Sequence, residues 1–158
     1  KPRVFVSYKS KDRQCAFRLA YLANEEGFNY WVDVLDPTLT AVQNKQPYII
    51  AAIIELALLN SSHIIAAMTP NTINSAWVPY EFGRAKDATI MSSQAASWIS
   101  PQLTQPIPEY LHLCIRNGAE NEIRKWLMNE RTQWEKTHGM KLQKPAGLWP
   151  HSVPATLP

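Results

Sequence analysis

The stretch Asn71-Thr72-Ile73-Asn74-Ser75-Ala76-Trp77-Val78-Pro79-Tyr80-Glu81-Phe82-Gly83-Arg84-Ala85-Lys86 decides how this chain is read. It follows the apolar run His63 to Met68, which has the length and composition of a buried strand. It opens on polar, turn-forming residues and then turns helical. Asn74 or Ser75 is placed to cap the helix, and Pro79 falls in its first turn, where a missing N–H breaks no bond. Trp77 and Glu81 stand four residues apart, so the spacing predicts that they share a helix face, continued by Arg84 and Ala85. An aromatic plate and a carboxylate are thereby expected just past the carboxyl end of a strand, the edge at which open α/β sheets bind ligands. Taken alone the pair has an ordinary structural reading too. A Trp at a helix start packs, and an early Glu complements the helix dipole.

Working outward, the pattern alternates strands and helices. Val4 to Tyr8 reads as a first strand. Ser10 or Asp12 then caps a helix with Cys15, Leu19, Leu22 and Ala23 inside and Arg13, Arg18, Asn24 and Glu25 outside, and Gly27 ends it. Phe28 to Asp33 is a second strand, parallel to the first because a helix connects them. The 15 residues from Asp33 to Pro47 read as a loop, with Asp36-Pro37 as a turn signal. Loops of that length in compact domains tend to be functional or mobile. Tyr48 to Asn60 is a helix apolar nearly all round, as if it packs on the sheet and on a second surface, such as another copy of the chain. His63 to Met68 lacks alternation, as a central parallel strand does. Ala95 to Ser100 and Tyr110 to Ile115 are the fourth and fifth strands, and Ala119 to about Lys136 is a closing helix with Ile123, Trp126, Leu127 and Arg131 at helical spacing. The expected fold is an open five-stranded parallel sheet flanked by helices, a flavodoxin-like three-layer sandwich. From His138 the chain holds Pro145, Pro150, Pro154 and Pro158 without periodicity, so residues 138–158 read as a Pro-rich tail or linker and residues 1–137 as the domain.

Composition narrows the function. The chain has 158 residues, 46% hydrophobic and 18% charged, which suits one domain with a sizeable core. A net charge of +3 does not by itself imply a nucleic-acid partner. No run of apolar residues is long enough to span a membrane. Cys15 and Cys114 lie in apolar patterns and read as buried free thiols, which fits a reducing, cytoplasmic setting. The four histidines show no ligand spacing, so a metal site is not expected. There is neither a G-x-G-x-x-G nor a Walker loop. A first residue other than Met suggests a domain cut from a longer chain.

Three motifs then converge on one family. Val4-Phe5-Val6-Ser7-Tyr8-Lys9-Ser10-Lys11-Asp12 resembles the first motif of TIR (Toll/interleukin-1 receptor) domains. Gly27-Phe28-Asn29-Tyr30-Trp31-Val32-Asp33 resembles that family's second strand, which leads into its BB loop. Ser75-Ala76-Trp77-Val78-Pro79-Tyr80-Glu81 resembles the S-x-W-x-x-x-E motif of TIR domains that cleave NAD. The resemblance covers about residues 4–136. It departs in Lys9, where Arg is common, and in a loop from Val34 to Pro47 that holds no glycine.

The resemblance implies a bacterial-type enzyme that takes NAD as substrate, needs no other cofactor, and hydrolyses or cyclises it in defence signalling. It implies Glu81 as the catalytic carboxylate, with Tyr8, Lys9, Ser10, Trp31, Asp33, Ser75 and Trp77 bordering the NAD pocket. It further implies other TIR domains as partners, in a homo-oligomer or filament. From the residues themselves, Ser7 reads as a backbone-bonding hydroxyl, Trp31 equally as core, and Asp33 as a loop cap. Two rival functions stand beside the enzyme. One is a non-catalytic module acting by homotypic association, from which Glu81 behind Trp77 distinguishes it. The other is a nucleoside deoxyribosyltransferase-like enzyme that would spare NAD.

Overall fold

A computed structural model of the chain describes residues 1–42, 44, 46–88 and 92–158. Five strands, β1 (Arg3–Ser7), β2 (Asn29–Trp31), β3 (His63–Met68), β4 (Ala95–Ile99) and β5 (Ile115–Asn117), form one parallel sheet in the order β2-β1-β3-β4-β5. The helices are α1 (Arg13–Glu25), α2 (Pro37–Val42), α3 (Pro47–Leu59), α4 (Trp77–Ala88) and α5 (Glu120–His138). This is the expected three-layer architecture. No helix among the described residues is long and apolar enough to cross a membrane.

Strand alternation sorts the core into two layers. Val4, Val6, Ile65, Ala67, Ala96 and Trp98 face α1 and α5. Phe5, Ile64, Ala66, Met68 and Ala95 face α3 and α4. Every residue of β3 is buried, so its unbroken apolar run is that of a strand covered on both sides.

The structure departs from the sequence reading at several points of the fold. The predicted fifth strand, Tyr110 to Ile115, is mostly a 3-10 turn over Glu109–Leu113, and the strand begins at Ile115. Pro108 sets the turn, its carbonyl accepting from Leu111 N–H at 3.1 Å. Within the predicted loop, Asp36-Pro37 starts α2. The Asp36 carboxylate accepts from the N–H groups of Thr38 at 2.9 Å and Leu39 at 3.1 Å, a side-chain cap followed by Pro at the first helical position. Residues 43 and 45 of that loop lie outside the described residues.

Arg18 does not point to solvent. It is 7% exposed and holds Glu120 of α5 through two bonds, Nε at 3.1 Å and Nη2 at 2.5 Å. Cys15 is a buried free thiol, but Cys114 is only half-buried.

The segment after α5 has no helix or strand, yet it is docked. Leu142 is buried in the α1 side of the core, and Trp149, Val153 and Leu157 pack against it. The Trp149 ring lies 4.8 Å from Tyr30 and 5.7 Å from Tyr21. Gly27 makes room for this path. It has φ +88°, and a Cβ there would stand 3.0 Å from the Gln143 carbonyl oxygen.

Candidate active site at the carboxyl edge of the sheet

β1 and β3 lie side by side at the middle of the sheet, with Ser7 paired to Ala66 at their carboxyl ends. The loops that leave them are tied together. Asp12 does not cap α1 as the sequence suggests. Its carboxylate instead accepts from the Thr69 hydroxyl at 2.6 Å and the Asn71 amide at 3.0 Å. The Thr69 N–H donates in turn to the Thr72 hydroxyl at 2.5 Å. This latch fixes the entry to α4. Ser75 Oγ accepts from Val78 N–H at 3.5 Å, a weak cap two residues before the helix begins at Trp77.

α4 turns Val78, Glu81, Phe82 and Ala85 toward the sheet. Glu81 is 8% exposed in an otherwise apolar layer, and Ser7 donates its hydroxyl proton to the carboxyl group. Ser7 shares the Phe5 side of β1 by simple alternation, which is why its hydroxyl meets Glu81 and not the backbone. Burial pushes the Glu81 carboxyl up; the Ser7 hydrogen bond pulls it down, and the negative charge of Asp33 pushes it up again, to about 8. At neutral pH the group is therefore largely protonated in this conformation.

Tyr8, the next residue, donates to the Asp33 carboxylate, which also accepts from Val34 N–H at 2.6 Å. Burial, reinforced by Asp33, holds the Tyr8 phenol well above its ordinary range. Tyr8, Ser10, Arg13, Asp33, Val34, Leu39 and Thr40 line an open hollow of about 350 Å³. Glu81 is not in that lining. Asp33 links the two, since it borders the hollow and biases the ionisation of Glu81. Tyr110 packs against the same layer, and its phenol is raised to about 12 by burial, then by Cys114, then by Glu81.

The remaining sequence-named residues divide. Trp31 stacks on Phe5 at 4.7 Å between ring centres, and its Nε1 donates to Asp36 at 2.8 Å, so the ring is engaged on both counts. Lys9 and Ser10 are exposed. Trp77 does not share the buried side of Glu81. It is 44% exposed, edge-on to Tyr80 at 5.5 Å. Arg84 leaves that side as well, its Nε reaching Glu55 of α3 at 2.7 Å, where Tyr80 also donates at 3.1 Å. Sequence reasoning misses Ser7 as the partner of Glu81, the Asp12 latch and Tyr110. Only the first had a signal, the strand alternation.

A doubly wound parallel sheet with a buried carboxyl group at its carboxyl edge defines the class of protein. A sequence profile described as TIR domain matches residues 4–113. The chain belongs to the TIR domain family. Among solved structures it is similar to the TIR domain of the Toll-related receptor TRR-2 from Hydra magnipapillata, at 18% identity and a TM-score of 0.58, over 84% of this chain and 97% of that one. It is more distantly similar to the TIR domains of the activated Roq1 resistosome recognising the effector XopQ, at 14% identity and a TM-score of 0.46, over 82% of each chain. No curated protein sequence matches the chain.

Proposed function

We propose that this TIR domain cleaves NAD between ribose and nicotinamide, with Glu81 as the catalytic carboxylate. The observation that carries the reading is the placement of Glu81, buried at the carboxyl edge of the sheet, bonded to Ser7 and raised to about 8. Such perturbed carboxyl groups concentrate at functional sites.

The chemistry asks little more than this. The bond from ribose C1′ to the pyridinium nitrogen breaks and its electron pair goes to nitrogen, so nicotinamide leaves neutral and needs no general acid. Positive charge develops on the sugar, and an ionised Glu81 beside it stabilises that charge. Water then adds at C1′ and gives up a proton, yielding ADP-ribose. Attack by an adenine nitrogen of the same molecule gives a cyclic ADP-ribose. NAD brings its own positive charge to the ring, and a cation beside Glu81 favours loss of the carboxyl proton. Ser10, Asp33 and Tyr8 border the hollow into which the rest of the nucleotide fits, and Trp77, on the first turn of α4, offers an exposed aromatic face.

At 8% exposure Glu81 is covered, so the described conformation is a resting one. Access requires movement of the Tyr8–Asp33 region, and docking of a second copy on α2 or α3 supplies a reason for it. Specific activity therefore rises with protein concentration, and Ala41→Glu on the exposed side of α2 lowers it.

A second reading has its own observation. Tyr48, Leu56 and Leu59 of α3 are 70%, 58% and 49% exposed, an apolar surface suited to homotypic association without catalysis. One experiment separates the two. Nicotinamide release from NAD is measured for the wild type and for Glu81→Gln over a hundredfold range of protein concentration, with thermal midpoints alongside. The enzyme reading expects release by the wild type and a loss of at least about a hundredfold in a folded Glu81→Gln protein. Wild-type turnover in that variant removes Glu81 from the chemistry. Association with no nicotinamide at any concentration establishes the interaction module.

A further inference from the structure

We infer that Ser7 is the positioning residue of the site, its hydroxyl fixing where the Glu81 carboxylate points and making its ionised form available. The inference rests on the catalytic reading of Glu81, and its geometry stands apart from it. Ser7 is the last residue of β1, a central strand, and is 1% exposed. Its neighbours on that side of the sheet are apolar: Phe5, Ile64, Ala66, Met68, Val78 and Phe82. A lone hydroxyl there would be unpaired without Glu81. Among the described residues, Glu81 in the same layer accepts a hydrogen bond from Ser7 alone. Each polar group answers the other, and truncating either leaves a buried polar atom without its partner.

The direction of that bond gives Ser7 its role. A hydroxyl donates to a carboxylate more strongly than to a neutral carboxyl group, so the pair favours the charged form. The groups facing Glu81 from other elements do not. Asp33, on the loop after β2, opposes ionisation, and Tyr110, after β4, is neutral at working pH. Glu55 of α3 is turned to Arg84 and Tyr80 instead. The buried residues of α3 are Ile54, Ala57 and Leu58, and β3 presents Ala66 and Met68, with His63 turned the other way to Glu130. Ser7 is thus the group that offsets burial.

The test is the titration of Glu81 followed directly by carbon NMR of glutamate labelled at the side-chain carboxyl, with Glu81→Gln to assign the signal. Ser7→Ala is expected to raise the Glu81 midpoint by about one to two pH units, the size of a hydrogen bond to a charged group expressed as a shift. The rising limb of the pH profile for nicotinamide release moves by the same amount, and kcat/KM at pH 7 falls about tenfold to a hundredfold. Ser7→Thr, which keeps the hydroxyl, restores both. A midpoint unmoved in Ser7→Ala overturns the inference whether or not NAD is cleaved. A midpoint that moves, in a protein that never releases nicotinamide, upholds the ionisation role and instead removes the catalytic reading. If the alanine variant fails to fold, Ser7→Cys keeps the volume with a weaker donor and is read in the same way.

Discussion

Glu81 on α4 and Glu135 on α5 are the same side chain in contrasting surroundings. Glu81 takes one hydroxyl in an apolar layer and is pushed up to about 8. Glu135 accepts from Leu142 N–H at 2.9 Å, Lys141 Nζ at 3.1 Å and Arg131 Nε at 3.1 Å, and these hold it down at about 2, the backbone bond first. The second arrangement is what a structural carboxylate needs: both oxygens answered, two of the three donors charged. The first is poorly served for stability. A protein that only needed to fold would gain by placing an apolar residue there. The contrast teaches where to look for chemistry. It is at the carboxyl group the fold leaves short of donors, and the junction of α5 with the tail is where the fold is secured.

The largest effect should come from breaking the secured side. Leu142 is 6% exposed, and its N–H is the first tie on Glu135. Leu142→Ala removes a buried side chain and is expected to cost about 2–5 kcal/mol. Denaturant unfolding measures it. A cost near zero would mean that the tail merely rests on the domain, and the contrast with Glu81 would lose its structural half.

A pH series sharpens the same comparison. Glu81 has a folded value above the ordinary 4.5, so the folded state favours its neutral form. Its contribution is fully present below about 4.5 and is lost as pH rises through about 8. Glu135 has a folded value below 4.5; its contribution is present above that and is lost as pH falls through about 2. The thermal midpoint of the wild type should therefore drop between pH 5 and pH 9, and Glu81→Gln should flatten that drop. Glu135→Gln should lower the midpoint at neutral pH and leave the alkaline drop in place. Equal alkaline slopes in the wild type and Glu81→Gln would mean that Glu81 is not the starved carboxyl group described above.

The sequence made the layers legible because hydrophobic period and length act locally. His63 to Met68 was readable as a covered strand from its unbroken apolar run. It also pointed to Glu81, though by motif and not by environment. What stayed hidden depended on partners distant along the chain. The outward-looking Arg18 is drawn in by Glu120, 102 residues away, and Asp12 abandons its cap for Thr69, 57 residues away. The misplaced fifth strand has a different cause. Tyr110 to Ile115 carries an apolar pattern that suits strand and 3-10 turn alike, and Pro108 decides between them. In the tail, four prolines argued for an extended path correctly, but composition is silent on what an extended path packs against.

Trp77 is the residue on which the two sides of the comparison meet with the smallest expected effect. Helical spacing put it beside Glu81, and the structure puts it at the surface, 44% exposed against Tyr80. A fully buried Trp truncated to Ala costs about 3–5 kcal/mol, but a ring this open gives up much less area. Trp77→Ala should cost about 1 kcal/mol or less, close to an ordinary surface change. If the ring meets the flat parts of NAD, the same variant raises KM for NAD while Glu81 keeps its titration midpoint, because the ring contributes binding and not charge. A loss of stability as large as that of Leu142→Ala would place Trp77 with the secured side of the molecule. An unchanged KM together with unchanged stability would leave the motif tryptophan without a part in either.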